Sequence, residues 1–417
     1  MDNREHIRDL AKRYMEIATS DQQKQTAELW RSNNSLRKTR PLFFTLTIPY
    51  DEFFDFSTIR YEDEPLRSIE IMLATSVHYR VKLKDDFVFN PWVTVNAVLS
   101  HPMQDRWGVP CILGEKPRPG GAAAFDPHII DEKDLNKLRS SPYIVDEAKT
   151  HENVETVYDV LGDIIGIYVN KRGLYARDWN MDISTDLARI IGFENLILSV
   201  YENPEFLHSI ASFMRDTILT DIHAVEDAGN NCLADSMSQI IPFVDELPDP
   251  DCNVTGCPTS KTWGFFAAQE FTMMSPKHFY EFILQYQMPI IELFGLTAYG
   301  CCEDLTDKID LMKKIKNLRR ISVSPFADTE KCAQQIGNKY VISWRPNPAT
   351  MVSFGLDEDY VRKDMRKNFA HFKRNNCIFD ITLKELETIN RSPENLIRWS
   401  EIVREEVENY YTDKEVV

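Results

Sequence analysis

No apolar stretch in the 417 residues approaches the roughly 20 needed to cross a bilayer, which argues against a membrane-spanning helix. The opening residues, Met1 to Tyr14, are charged and carry no apolar core with a small-residue cleavage site after it. No secretory signal is therefore expected, and the expected location is the cytoplasm. Positive charge is in deficit, with 48 Lys plus Arg against 65 Asp plus Glu and a net charge of −17. That balance opposes nucleic acid and anionic membranes unless a local basic patch overrides it. The one basic cluster, Lys313, Lys314, Lys316, Arg319 and Arg320, reads as the solvated end of a helix.

A regular cysteine framework is also missing. The eight cysteines are irregularly spaced, so reduced thiols are expected rather than a disulfide framework. Cys252 and Cys257 are separated by four residues with no second ligand pair nearby, and read as loop rather than as a structural zinc site. His128, His208, His278 and His371 have no partner at metal-ligand spacing. There is no Gly-rich phosphate loop, no nucleophile elbow and no HExxH helix, which removes the commonest nucleotide, acyl-transfer and metalloprotease signatures. No low-complexity segment or flexible linker divides the chain.

What is present is a normal globular composition, 43% hydrophobic and 27% charged, sufficient for a sizeable core. The last third alternates short apolar strands with amphipathic helices. Leu296 to Gly300 predicts a strand followed by a helix over Leu305 to Ile315. Arg320 to Ser324 precedes a helix from Thr329 to Ile336, closed by Gly337. Tyr340 to Trp344 precedes a helix from Asp357 to Phe372, and Ile378 to Leu383 a helix from Pro393 to Asn409. Upstream, Thr262 to Ala267 predicts a strand, and Ser275 to Phe294 one long helix with Ser275 as cap and Pro276 at its first position. Pro41 to Thr47 and Ile165 to Val169 are earlier, weaker strands, and Asp182 to Val225 reads as largely helical. Repeated βα units imply parallel strands with helices outside. The expected fold is a single (β/α)8 TIM barrel over residues 41–417, with residues 1–40 as an N-terminal helical extension packed on it; the rival is a doubly wound open sheet.

In such a barrel the site is built at the carboxyl ends of the strands. That rule selects Gln269 and Glu270; Tyr299, Cys301, Cys302 and Glu303; Ser324, Phe326 and Asp328; Arg345 and Asn347; and Lys384 and Glu385. Tandem thiols and a carboxylate directly after a strand could hold a soft metal or supply a nucleophile, or the thiols could be packed as small apolar groups. Glu270 ends a strand rich in aromatics, Trp263, Phe265 and Phe266, and apolar walls would disfavour its charged form, suiting it to acid–base work or else to capping a turn. Arg345, stiffened by Pro346 and Pro348, could clamp an anionic group or bridge neighbouring strands, and Lys384 has similar scope. Trp179 and Asn180 lie between Asp178 and Asp182 in a polar, aromatic loop that could hold substrate or form hydrogen-bonded turns. Cys377 precedes its strand and is expected on the opposite, stability face. The catalytic candidates are Glu270, Tyr299 and Glu303. The substrate-binding candidates are Trp179, Asn180, Trp263, Gln269, Phe326, Arg345, Asn347 and Lys384, and the metal candidates Cys301 and Cys302.

Several segments, in this order, resemble the uroporphyrinogen decarboxylase superfamily: Glu202-Asn203-Pro204-Glu205, Trp263-Gly264-Phe265 with Gln269-Glu270, Tyr299-Gly300-Cys301-Cys302-Glu303, Asn317-Leu318-Arg319-Arg320 leading to Ser322-Val323-Ser324-Pro325, Arg345-Pro346-Asn347-Pro348, and Leu383-Lys384-Glu385 with Pro393-Glu394-Asn395-Leu396. The resemblance implies a (β/α)8 barrel from a group of decarboxylases and cobalamin-dependent methyltransferases. The true decarboxylases carry an Arg-Gln-Ala-Gly-Arg-Tyr motif that has no equivalent near Thr39 to Pro49, which disfavours porphyrinogen decarboxylation. The methyltransferase branch binds zinc through His-x-Cys and a later Cys; here Tyr299 stands at the histidine position. The resemblance thus implies methyl transfer between a small methylated compound and a corrinoid cofactor, carried on a partner protein, with Zn2+ on Cys301 or Cys302 together with Glu270 or Glu303. The alternatives are decarboxylation of a non-porphyrin acid, with Arg345 and Lys384 on its carboxylates, and a non-catalytic ligand-binding barrel.

Overall fold

The computed structural model describes residues 2–101, 105–111, 113–114, 125–176, 180–235 and 239–412. Two helices open the chain: α1 (Asn3–Ala18), whose cap Asp2 and Glu5 form a reciprocal capping box, and α2 (Asp21–Asn34), capped by Ser20. Next come β1 (Leu42–Thr45), the single-turn α3 (Tyr50–Phe53), α4 (Leu66–Lys82), β2 (Trp92–Asn96), α5 (Glu147–Leu161) and β3 (Gly166–Asn170). Three helices, α6 (Ser184–Ile191), α7 (Phe193–Glu202) and α8 (Pro204–Asp227), precede β4 (Trp263–Phe266). From there strand and helix alternate. The order is α9 (Pro276–Phe279), α10 (Gln285–Ile291), β5 (Leu296–Tyr299), α11 (Ile309–Met312), β6 (Leu318–Val323), α12 (Thr329–Ile336), β7 (Val341–Trp344), α13 (Glu358–Arg374), β8 (Ile378–Leu383) and α14 (Pro393–Thr412).

Six strands form one parallel sheet in the order β1-β8-β7-β6-β5-β4, and β2 and β3 form a separate parallel pair. Every residue of β1, β4, β5, β7 and β8 is buried, as expected of parallel strands covered on both faces. The first strand of the chain lies beside the last, with Leu42 opposite Asp380 and Thr45 opposite Leu383. The fold is therefore α/β, with a six-stranded parallel arc and many helices. The expected closed ring of eight ladders is not what the hydrogen bonds trace. On the free edge of β1, Phe43 N donates to Asp86 Oδ2 (3.0 Å), Thr45 N to Asp85 Oδ2 (3.1 Å), and Phe43 O accepts from Asp86 N (2.8 Å). The loop after α4 thus occupies the groups that would pair with β2.

Two helices differ from expectation. Leu305 to Ile315 is helical only over Ile309–Met312, because Asp304 Oδ1 accepts from both the amide and hydroxyl of Thr306 (2.8 and 2.6 Å) and holds the chain in a turn. The long helix expected after Ser275 begins as predicted, with Ser275 Oγ accepting from His278 N. It then widens into a π-helical turn, Tyr280–Leu284, ahead of α10 and its internal Pro289, which has no amide to donate. Asn33 Nδ2 donates to Phe379 O, and Trp30 packs edge-on against Phe44, tying α2 to β1 and β8.

Candidate functional site

The turn after β5 is fixed from both sides. Gly300 has φ +102°, and a Cβ there would come within 2.8 Å of Leu305 Cδ1, so the position needs glycine. Glu303 is buried and both its oxygens accept backbone amides, from Ala268 N (2.8 Å) and Cys301 N (2.7 Å). One carboxylate thus pins the Cys-Cys turn to the end of β4. Tyr299 is fully buried; its hydroxyl donates to Gln287 Oε1 (2.6 Å), and Gln287 Nε2 donates to Ala267 O and Asp182 O. Burial holds the Tyr299 phenol well above its usual pKa. These two candidates are engaged by the protein itself.

The thiols meet the end of β8. Cys301 Sγ lies 3.7 Å from Cys302 Sγ and accepts from Lys384 Nζ at 2.6 Å. Cys302 Sγ donates to both oxygens of Glu385 (2.7 and 2.6 Å), and Glu385 Oε1 also takes Lys384 Nζ at 2.7 Å. Glu385 has φ +60°, a left-handed conformation that a non-glycine residue adopts at a cost. Arg345 Nη1 donates to Cys301 O (3.2 Å), bringing β7 into the cluster, while its buried Nε has no acceptor among the described residues. Ligand atoms of Cys301, Cys302 and Glu385 all lie within 4.8 Å of one another.

The electrostatics divide the thiols. The hydrogen bond with Cys302, with Arg345 and Lys384 close by, outweighs burial and lowers the Cys301 thiol to about 6. Cys302 is pushed strongly up by the same hydrogen bond and by burial, leaving one thiolate and one thiol. Burial opposes ionisation of Glu385, but Lys384 and the Cys302 contact win and its pKa is lowered. The carboxylate beside the thiols is therefore Glu385, where Glu270 or Glu303 was expected.

Glu270 lies on the turn Gln269–Phe271 after β4 and accepts from Ser184 Oγ (2.8 Å). Burial raises its pKa; Asp182, also buried, is raised well above the carboxylate range by burial and by Glu270 itself. Asp182 is further held by Thr185 through its amide and hydroxyl. Two neighbouring acids that disfavour joint ionisation can keep a proton at neutral pH. Gln269 is half-buried on the same turn.

The remaining candidates scatter. Trp263 is the first residue of β4, at the end of the strand away from Gln269 and Glu270, and its Nε1 donates to Pro242 O (2.8 Å). It lines a small cavity with Gly173, Asn231 and Thr259, at the end of β4 opposite the Gln269–Glu270 turn. Asn347 is exposed, accepts from Ala349 N, and shares with Arg345, Ser324 and Tyr360 a polar cleft of about 490 Å³. Phe326 stands 74% exposed on the loop after β6. Trp179 lies outside the described residues, and Asn180 opens the short turn Asn180–Asp182. Cys377 is buried just before β8, its thiol facing Ala333 O. Glu385 was within reach of the strand-end rule, which picks it with Lys384; Asp182 and Ser184 carried no signal as a partner set for Glu270.

No family model matches the chain, and no curated protein matches it in sequence. Among solved structures, a methyltransferase from Methanosarcina mazei shares the fold with a TM-score of 0.51, over 93% of this chain and 99% of its own, at 10% identity.

Proposed function

We propose that the chain is a methyltransferase that moves a methyl group between a small methylated compound and a corrinoid, within the uroporphyrinogen decarboxylase-like class. On this reading the two sheets are arcs of one eight-stranded barrel. The likeness in fold to a solved methyltransferase supports it. The observation that carries it is the meeting of two sulfurs and a carboxylate at the ends of β5 and β8. That donor set suits zinc, which takes thiolate and carboxylate ligands and leaves a fourth position for substrate. Cys301, Cys302 and Glu385 would hold the ion, and a bound zinc would supply Lewis acidity to the heteroatom that carries the methyl group.

The chain's own residues complete the site. Glu303 sets the backbone of the Cys-Cys turn, and Arg345 supplies positive charge near the thiolate, joined in the metal-free site by Lys384. The Asp182–Glu270 pair can hold a proton for a leaving group at the end of β4. Three large apolar side chains stand out on the loops after β4, β6 and β7: Met273 (86% exposed), Phe326 (74%) and Phe354 (86%). All three follow strands of one parallel sheet, at its carboxyl end, where a corrinoid-bearing partner would have to dock. Metal analysis of the purified protein tests the reading: about one zinc per chain, lost in Cys301→Ser and Cys302→Ser, supports it, whereas a fully active preparation without zinc removes it.

A second reading, decarboxylation of a small acid, is favoured by the buried Arg345, whose Nε has no partner among the described residues. It predicts carbon dioxide release without metal.

A further inference from the structure

Lys384 ends β8 with only 4% of its surface exposed. Its ammonium lies 2.6 Å from Cys301 Sγ and 2.7 Å from Glu385 Oε1, two of the three donor atoms assigned above to a metal. The ammonium thus sits against two of the atoms an ion would need, and a divalent ion cannot enter beside it without strong repulsion. Such an ion would take both sulfurs and the carboxylate as ligands, so the ammonium must leave the two atoms it contacts, and a thiol that becomes a ligand gives its proton to solvent.

We propose that Lys384 is a displaceable counter-cation that holds the metal position until a thiophilic divalent ion of the zinc type pushes it out. The proposal rests on the metal-dependent reading above. Zinc gains two sulfur ligands and can replace the lysine contacts. Magnesium, which prefers oxygen and sheds water reluctantly, gains little from sulfur and leaves the lysine in place. The left-handed backbone at Glu385 turns its carboxylate onto Cys302 and Lys384 together, so one strained residue presents the donor to either cation.

Zinc affinity, measured by competition with a chromophoric chelator, is expected to rise at least about tenfold in Lys384→Leu, which keeps an apolar stem, removes the charge and adds no metal-binding atom. Magnesium should compete in neither protein. Equal or weaker zinc binding by a folded Lys384→Leu, with the wild type binding zinc, overturns this proposal and leaves the metal reading intact; no zinc binding by either protein overturns both. A second measurement needs no variant. Reductive methylation of the unmodified chain, read by peptide mass spectrometry, should label Lys384 slowly without metal and faster after zinc loading. Labelling that zinc leaves unchanged or slows also overturns the proposal.

Discussion

Glu303 accepts the amide of Cys301 at 2.7 Å while its other oxygen accepts the amide of Ala268 at 2.8 Å, so the β5 turn and the end of β4 share one buried carboxylate. Glu303→Ala leaves two buried amides without acceptors and should cost about 2–4 kcal/mol in urea unfolding. Glu303→Gln keeps one acceptor and should cost less. Both should weaken zinc binding by about 10- to 100-fold, because the carboxylate orients a ligand-bearing turn. Unchanged stability and metal affinity in Glu303→Ala would remove the clamp from the account.

The Cys301–Cys302–Glu385 set predicts a hierarchy of metal loss. Cys301→Ser and Glu385→Gln should each reduce zinc affinity by about a hundredfold or more, while Glu270→Gln should leave it within about threefold, because Glu270 hydrogen-bonds to Ser184 instead. Isothermal titration with zinc reads all three, and a large loss in Glu270→Gln would return the carboxylate ligand to the position first expected from the sequence.

Legibility along the chain followed burial. The strands from β4 to β8 are short apolar runs set between amphipathic helices, and their positions could be read from that alternation. β2 was missed because Thr94 and Asn96 are exposed and more than 40 residues separate it from α5, so neither a continuous apolar run nor a regular βα spacing marked it. Closure of the arc at β1 was equally unreadable: nothing local says that Asp85 and Asp86 will take the amides of Phe43 and Thr45. The strand-end rule found Cys301, Cys302, Arg345 and Lys384. It also picked Glu385, but the family resemblance pointed to Glu270 and Glu303 as the carboxylate partner. Contact between the ends of β5 and β8, 83 positions apart at Cys302 and Glu385, depends on how the sheet curves.

The same loop that caps β1 gives a pH prediction. Burial pushes Asp85 up to about 7, although Tyr79, Thr45 N and Phe87 N all donate to it. The folded state therefore binds a proton that the unfolded chain, with an ordinary carboxylate, has released. As pH rises from about 4 to about 7 this group withdraws stability, by at most about 1.4 kcal/mol per pH unit. Asp85→Asn should remove that slope in urea unfolding from pH 4.5 to 7; an unaltered slope would show that another group titrates.

Beneath the site, Arg320 Nη2 and Asp380 Oδ2 pair at 2.6 Å, both buried, with Asn34 Oδ1 accepting from the other guanidinium nitrogen. Arg320→Met should cost about 3–5 kcal/mol, since it strands the Asp380 charge in the core. Adding Asp380→Leu should recover much of the loss, and thermal unfolding of the single and double variants compares them. A double variant no better than the single would show that packing, not charge, sets the cost.

The most direct test of the account is the rate at which the zinc-loaded protein consumes free cob(I)alamin, followed by its absorbance, against a panel of small methylated compounds. The account predicts turnover with at least one methyl donor and its loss in the Cys301→Ser/Cys302→Ser double variant. Turnover with none of them, or turnover undiminished in the double variant, would contradict it.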